Sequence, residues 1–170
     1  CRVLLFFGGI MEITGFYIVS DKFFSDFPDP YLKGNKNEKR PHYYAYKDST
    51  GLFWMIPMSS RVDKYQRIIA SRTARNKPCD IFHIAKLDNN KTSVFLIGDM
   101  FPITEEYILR KYTINSNHLR VTSEHLANEI NRKVKKVLNL IRHGAKFSNT
   151  QPDVLKIEQE LLSRLQNATN

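Results

Sequence analysis

The apolar residues change their period along the chain, and the change separates a strand-rich front from a helical back. Residues 12–19, Glu-Ile-Thr-Gly-Phe-Tyr-Ile-Val, are dense in β-branched and aromatic side chains and predict a first strand. Residues 25–41 break the pattern with Pro, Gly, Asn and Asp and predict a long loop, a feature that in a small domain is usually functional or disordered. Two hairpins are expected after it. Residues 42–47 and 52–58 flank the turn Asp48-Ser49-Thr50-Gly51, and residues 80–87 and 92–98 flank Asp88-Asn89-Asn90-Lys91, where Asn and Asp tolerate left-handed backbone. Residues 61–77, between the hairpins, fit either a helix or an ordered basic loop.

From residue 104 the pattern is that of helices. Thr104-Glu105-Glu106 after Pro102 predicts a short helix to about Tyr112. Thr122-Ser123-Glu124 opens a longer one in which Leu126, Ile130, Val134, Val137 and Ile141 share one face, and Arg142, His143 and Gly144 signal its end. A last helix from Pro152 to about Leu165 repeats the stripe with Val154, Ile157, Leu161 and Leu165. Strands followed by helices predict an α+β fold. The 170 residues make one core, at roughly 150 residues per domain.

Composition adds one unusual quantity, the charge. Lys and Arg number 26 against 17 Asp and Glu, a net charge of +9. Such a surplus raises the odds of a polyanionic partner and says nothing about fold. The two cysteines, Cys1 and Cys79, are too few for a disulfide framework, and the five histidines show no metal-ligand spacing, so a metal-free protein of a reducing cytoplasm, without cofactor, is expected. No apolar run reaches the roughly 18 residues of a membrane span, so no membrane partner is expected. Arg2 to Ile10 imitate a signal peptide but lack its cleavage site, and Met11 is the expected start, with residues 1–10 a cloning or start-site artefact or leader and 11–170 the single domain.

The surplus is concentrated. Residues 61–77 carry a net +5, residues 132–146 a net +6 and residues 33–47 a net +4, which is harder to explain as a generic solvated surface than an even spread. Phosphate contacts are therefore expected from Lys39, Arg40, Arg67, Arg72, Arg75 and Lys77, and from Arg132, Lys133, Lys135, Lys136 and Arg142 on the long helix. Tyr31 and Tyr65 are expected to be exposed for stacking on unpaired bases, and Phe53 and Phe82 to be core.

A phosphodiester is cut without metal when the ribose 2′-hydroxyl attacks the adjacent phosphorus and leaves a 2′,3′-cyclic phosphate. That route requires assistance to deprotonation, a donor to the leaving oxygen, and cations or hydroxyls on the phosphate. Pro57-Met58-Ser59-Ser60-Arg61-Val62-Asp63-Lys64 leaves a hydrophobic strand and exposes two hydroxyls, a guanidinium and an ammonium. A serine pair at a strand end is more often only a cap. No G-x-S-x-G elbow, P-loop or dinucleotide fingerprint is present.

The order of features resembles the ToxN/AbiQ family of type III toxins, particularly its CptN-like branch. The resemblance covers residues 12–165: Phe16-Tyr17-Ile18-Val19-Ser20, the loop with Asp29-Pro30-Tyr31 and Arg40-Pro41, the strand ending Ile56-Pro57-Met58-Ser59-Ser60, and Phe95-Leu96-Ile97-Gly98-Asp99-Met100 before Pro102. It implies a compact, strongly twisted antiparallel sheet similar to MazF and Kid with surrounding helices. It also implies a sequence-selective, metal-independent endoribonuclease acting on cellular or phage RNA in phage defence (abortive infection). A small repeat-derived pseudoknot RNA would inhibit it, and protein and RNA would close into cyclic hetero-oligomers. By position, Ser60 matches the family's essential Ser, Ser59 its neighbouring Thr and Tyr31 its loop Tyr, while its Lys after the Ser is matched by Arg61 or Lys64. The family's loop Lys corresponds to His42, Arg40 or Lys39, of which His42 alone has an unperturbed pKa near neutrality. Competing readings are a noncatalytic basic RNA-binding module, a DNA-binding regulator using the long helix, and, least, a membrane-active toxin.

Overall fold

The computed structural model describes residues 11–170, so the expectation about residues 1–10 lies outside the described residues. In chain order the elements are β1 (Phe16–Val19), α1 (Asp21–Asp26), β2 (His42–Lys47), β3 (Phe53–Ser59), α2 (Val62–Ala74), β4 (His83–Lys86), β5 (Thr92–Phe95), β6 (Phe101–Ile103), β7 (Ile108–Lys111), β8 (Thr113–Ile114), β9 (Asn117–His118), α3 (Glu124–Arg142) and α4 (Val154–Ala168). An antiparallel sheet runs in the order β4-β5-β3-β2-β1-β7, with β6 also paired to β3, and β8 and β9 form a small separate ribbon. This is the α+β class expected from the alternation of patterns.

The sheet is organised around β3. On one side it pairs with β2 from His42↔Pro57 to Lys47↔Phe53. On the other it pairs first with β6, from Phe53↔Ile103 to Met55↔Phe101, and then with β5, through Met58↔Phe95 and Ser59↔Val94. Between those two partners the chain turns through a short 3-10 segment, Ile97–Asp99, and Pro57 sits at that changeover. Proline is tolerated in an inner strand where the ladder is interrupted, because its missing N–H costs no cross-strand bond there. Trp54, Met55 and Ile56 are fully buried, and together with Phe16, Tyr43, Phe95 and Phe101 they form the aromatic-rich centre of the core.

The stripe predicted for the long helix is observed: Ile130, Val134, Val137 and Ile141 are buried, and Leu126 is half-buried. The Ser123 hydroxyl caps α3 by accepting from Leu126 N–H, and Asp153 does the same for Lys156 N–H in α4. Gly144, at φ +88°, ends the α3 segment in the left-handed region that favours glycine. In α4 the stripe is shorter than expected, since Leu165 is 40% exposed.

Four expectations are corrected. The first strand begins at Phe16 and not at Glu12, because Thr14 has φ +76° and Gly15 approaches His118 so closely that a Cβ would lie 2.7 Å from its Cε1. Residues 21–26 form a helix where no element was predicted, and its last two residues fall in the expected loop, which therefore starts at Phe27. The second hairpin ends at Phe95 because residues 97–99 leave the ladder. Residues 104–112 contain a short 3-10 turn at Glu105–Tyr107 followed by β7, and not a helix. An eight-residue helix is marginal by itself. The same residues instead complete the ladder of β1 through Ile18↔Arg110 and Val19↔Ile108, while Tyr107 is buried and donates its hydroxyl to Asp26.

Candidate functional site

Strand β3 delivers its last residues directly into α2, and that junction holds the most concentrated chemistry of the molecule. Ser59 is buried, and its Oγ accepts from Arg61 N–H at 3.2 Å, so it fixes the turn and is not a free hydroxyl. Ser60 is exposed and makes no side-chain hydrogen bond to the described residues. It lines a recess of about 440 Å³ together with Arg61, Asp63, Lys64 and Arg67. The cations at 61, 64 and 67 are spaced three apart, which puts them on one face of the helix start.

The long loop brings a second group of cations to the same place. Asn35 is buried and anchors it: its Nδ2 donates to Val19 C=O and to Asp21, and its Oδ1 accepts from Glu38 N–H. Arg40 is half-buried and donates to Gly34 C=O. Lys36 is exposed and is held below the ordinary lysine range first by the Arg40 guanidinium, then by slight desolvation, then by Arg61, Lys33 and Lys64. Lys33, Arg40, Arg61 and Lys64, from two segments distant in sequence, therefore all act on Lys36, and Arg61 and Lys64 of this group line the recess at the β3 end. Such a concentration of like charge focuses field on a polyanion.

Beside the recess lies a cavity of about 220 Å³ that shares Lys64 with it. Its apolar walls include Tyr65, Ile68, Ile81 and Phe82, and Asp99 stands in its lining. Burial pushes the Asp99 carboxyl up to about 6, although Lys33 and Arg40 pull the other way. It makes no hydrogen bond or ion pair to the described residues.

Several expected residues stand elsewhere. His42 is completely buried against Phe101, with ring centroids 5.3 Å apart, and burial pushes its pKa down to about 3. Its Nε2–H donates to Lys33 C=O at 3.2 Å and its Nδ1 is left without a partner. The expectation of a neutral-range acid or base at His42 is thus corrected, and the imidazole instead ties down the loop that carries Lys33. Tyr65 is 8% exposed, not a stacking platform: Val94 and Leu96 pack against it and Phe82 lies 5.2 Å from its ring centre. Phe53 and Phe82 are half-buried at the margin of the core. Tyr31 is 41% exposed as expected, but its loop leans on α4, because Asp29 accepts from both Tyr31 N–H and Asp153 N–H, and Tyr31 is not among the residues lining the recess.

The basic run of α3 is largely committed to the fold. Lys133 donates to Phe82 C=O and His83 Nδ1, and burial holds its pKa down. Lys136 and Arg132 face Asp80 at 2.6 and 4.0 Å, and Lys135 lies over Tyr46. Arg142 pairs with the buried Glu158 at 2.7 Å and lies over Trp54. On α2, Arg72 donates to Pro78 and Phe147 carbonyls and Arg75 to Ser71. Lys39 and Lys77 are exposed. Sequence reasoning passed over Lys33 and Lys36, for which the charge of residues 33–47 was the available signal, and gave no role to Asp99. Among the described residues no group of three His, Cys, Asp or Glu side chains could hold a metal ion, and no helix is long and apolar enough to cross a membrane.

No protein-family profile matches the sequence, and no curated protein matches it significantly. Solved structures do match in fold. One, from work on bacterial type III toxin–antitoxin systems and selective toxin inhibition by a non-coding RNA pseudoknot, superposes with a TM-score of 0.65 at 17% identity over 90% of this chain and 98% of its own. AbiQ, a lactococcal anti-phage endoribonuclease of a type III system, superposes with a TM-score of 0.70 at 10% identity over 91% and 99%. A third, from work on a processed non-coding RNA that regulates a bacterial antiviral system, gives 0.62 at 13% identity over 86% and 96%. The fold implied by the sequence resemblance is therefore the fold of this chain.

Proposed function

We propose that this chain, which has the fold of the type III toxin structures that include AbiQ, is a sequence-selective endoribonuclease toxin whose basic recess is blocked by a small pseudoknot RNA. The observation that carries the reading is the recess in which the free hydroxyl of Ser60 stands with Arg61, Lys64 and Arg67, two of which, Arg61 and Lys64, also belong to the group of cations acting on Lys36. A fold alone hosts many functions, so the weight rests on that site.

In the proposed reaction the RNA backbone enters the recess with one phosphate between Arg61 and Lys64. The ribose 2′-oxygen attacks phosphorus, the bond from phosphorus to the 5′-oxygen breaks, and the products are a 2′,3′-cyclic phosphate and a 5′-hydroxyl. Arg61 and Lys64 neutralise the charge that grows on the non-bridging oxygens, and the Ser60 hydroxyl donates to one of them. Ser59 acts through the turn, by holding Arg61 N–H. Lys36, whose proton is loosened by its neighbours, among them the recess cations Arg61 and Lys64, is the group proposed for proton exchange with the attacking or leaving oxygen. The same cations serve the inhibitory RNA, whose phosphates compete for the recess. The setting that follows is cytoplasmic, as part of defence against phage, with protein and RNA assembled into closed rings and residues 11–170 acting as the single domain.

The test is incubation of the wild-type protein and Ser60→Ala with a long RNA in excess EDTA, with the new 3′ ends mapped. The expected result is discrete cuts ending in cyclic phosphate, lost in the variant. Intact RNA bound equally by both proteins would remove the enzymatic reading and leave a binding surface.

A further inference from the structure

The cavity beside the recess holds an acid, Asp99, together with the cations Lys33, Lys64 and Arg72. Asp99 follows Gly98 in the short 3-10 segment that leaves the sheet at the β6-to-β5 changeover, so its position is fixed by backbone and not by a flexible loop. Lys33 and Arg40 are its charged neighbours, yet neither closes an ion pair with it. An acid kept unpaired and largely desolvated at a cost in stability is better explained by a ligand than by the fold. The lining combines apolar and aromatic side chains, Ile68, Ile81 and Phe82 among them, with the polar Ser148, Thr150 and Gln151. Gln151 Oε1 is occupied by Phe147 N–H, which leaves its amide N–H₂ to donate. A cavity of about 220 Å³ lined by apolar and aromatic side chains, one carboxylate, and cationic and amide donors matches an unstacked nucleobase.

The carboxylate selects among the four bases. Guanine presents two adjacent donors, N1–H and N2–H, which a carboxylate accepts together, and its O6 beside them accepts from a cation. Adenine and cytosine each set a ring-nitrogen acceptor next to their single amino donor, so a carboxylate meets one bond and one repulsion. Uracil flanks its N3–H with two acceptors. We propose that this cavity is a base subsite that takes a guanine, paired through N1–H and N2–H with Asp99 and through O6 with Lys33, next to the phosphate bound at Ser60. The proposal rests on the endoribonuclease reading, since Lys64 borders both the cavity and the recess and so ties a base in the one to the phosphate in the other. It names the determinant of sequence selectivity that the reading lacks.

The test measures binding without cleavage. Ser60→Ala protein is titrated with fluorescent heptauridylates carrying a single central G, A, C or inosine, at one fixed salt concentration, and the titrations are repeated with Asp99→Asn added. The expected preference for G is about tenfold or more, the range of a good bidentate base contact, and inosine, which lacks the N2 amino group, loses most of it. Asn presents one donor and one acceptor, so Asp99→Asn is expected to move the preference from G to A while affinity for the all-U oligonucleotide stays the same. That swap separates a base contact from a merely structural role, and the melting temperature of the variant verifies its folding. RNA bound with equal affinity for all central bases, or a G preference unaffected by Asp99→Asn, would overturn the subsite and leave the endoribonuclease reading standing. Binding of no RNA at all would remove that reading and the subsite with it.

Discussion

Asp99→Asn is expected to stabilise the protein, and by an amount that depends on pH. The folded-state pKa of about 6 against the ordinary 3.8 makes ionisation of Asp99 costlier in the fold than in the unfolded chain, by about 3 kcal/mol at about 1.4 kcal/mol per pKa unit. For a carboxylate raised in this way the unfolded state loses its proton first, so stability falls as pH rises from about 4 to about 6, and the full penalty is present above that window. Asparagine has nearly the same shape and no charge to desolvate. At pH 7.5 the variant should therefore gain about 2–3 kcal/mol, and at pH 4 less than about 1 kcal/mol. Urea unfolding of both proteins at the two pH values measures the difference. Asp26, Asp48 and Asp80, whose carboxyls are held below the ordinary range, Asp26 and Asp80 by lysine partners and Asp48 by hydrogen bonds that outweigh its burial, change stability with pH equally in both proteins and cancel. Equal differences at pH 4 and pH 7.5 would refute the argument, because they would mean that Asp99 is ionised at no special cost. A stabilising variant at a half-buried position is also what is expected where a residue is kept for function at the expense of stability.

Three further outcomes are expected. His42 has a pKa lowered to about 3, so its contribution to stability is present above the ordinary 6.5 and is lost progressively as pH falls below that value; His42→Phe should flatten the acid limb of stability, read as proton uptake on unfolding. Arg142→Ala removes the partner of the buried Glu158 carboxylate and should cost about 1–3 kcal/mol in urea unfolding, with part of it returned by adding Glu158→Gln, whereas additive losses would show that the pair is not coupled. Lys33→Ala and Lys64→Ala should each reduce the salt dependence of RNA binding by about one phosphate contact, while Lys136→Ala, whose ammonium is spent on Asp80, should leave the slope unchanged.

Much was legible in the sequence where one periodicity dominates. The α3 stripe of Ile130, Val134, Val137 and Ile141 and the cap at Ser123 follow from 3.6-residue spacing and side-chain chemistry alone, because an amphipathic helix has one way to bury its apolar face. The hairpin of β2 and β3 and the placement of Ser60 at a strand end follow in the same way from alternation and a turn-rich connection. The net charge, too, is fixed before folding.

Which charges are free is decided only by tertiary contacts. Residues 132–146 are the most basic stretch of the chain, yet Asp80, Glu158 and the Phe82 carbonyl, remote in sequence, satisfy most of their cations, while the less basic loop sets Lys33, Lys36 and Arg40 within electrostatic reach of Arg61 and Lys64 at the start of α2. Residues 108–111 became a strand because β1 offered an unpaired edge, which no local propensity records. His42 and Tyr65 look like surface chemistry in the sequence and are buried in the fold, and Asp99, which the sequence offers only as part of a resemblance and with no role, stands unpaired in a cavity. The physical reason is common to all of these: a residue's type sets what it can do, but its desolvation and its neighbours set its pKa and its availability, and both are properties of long-range packing.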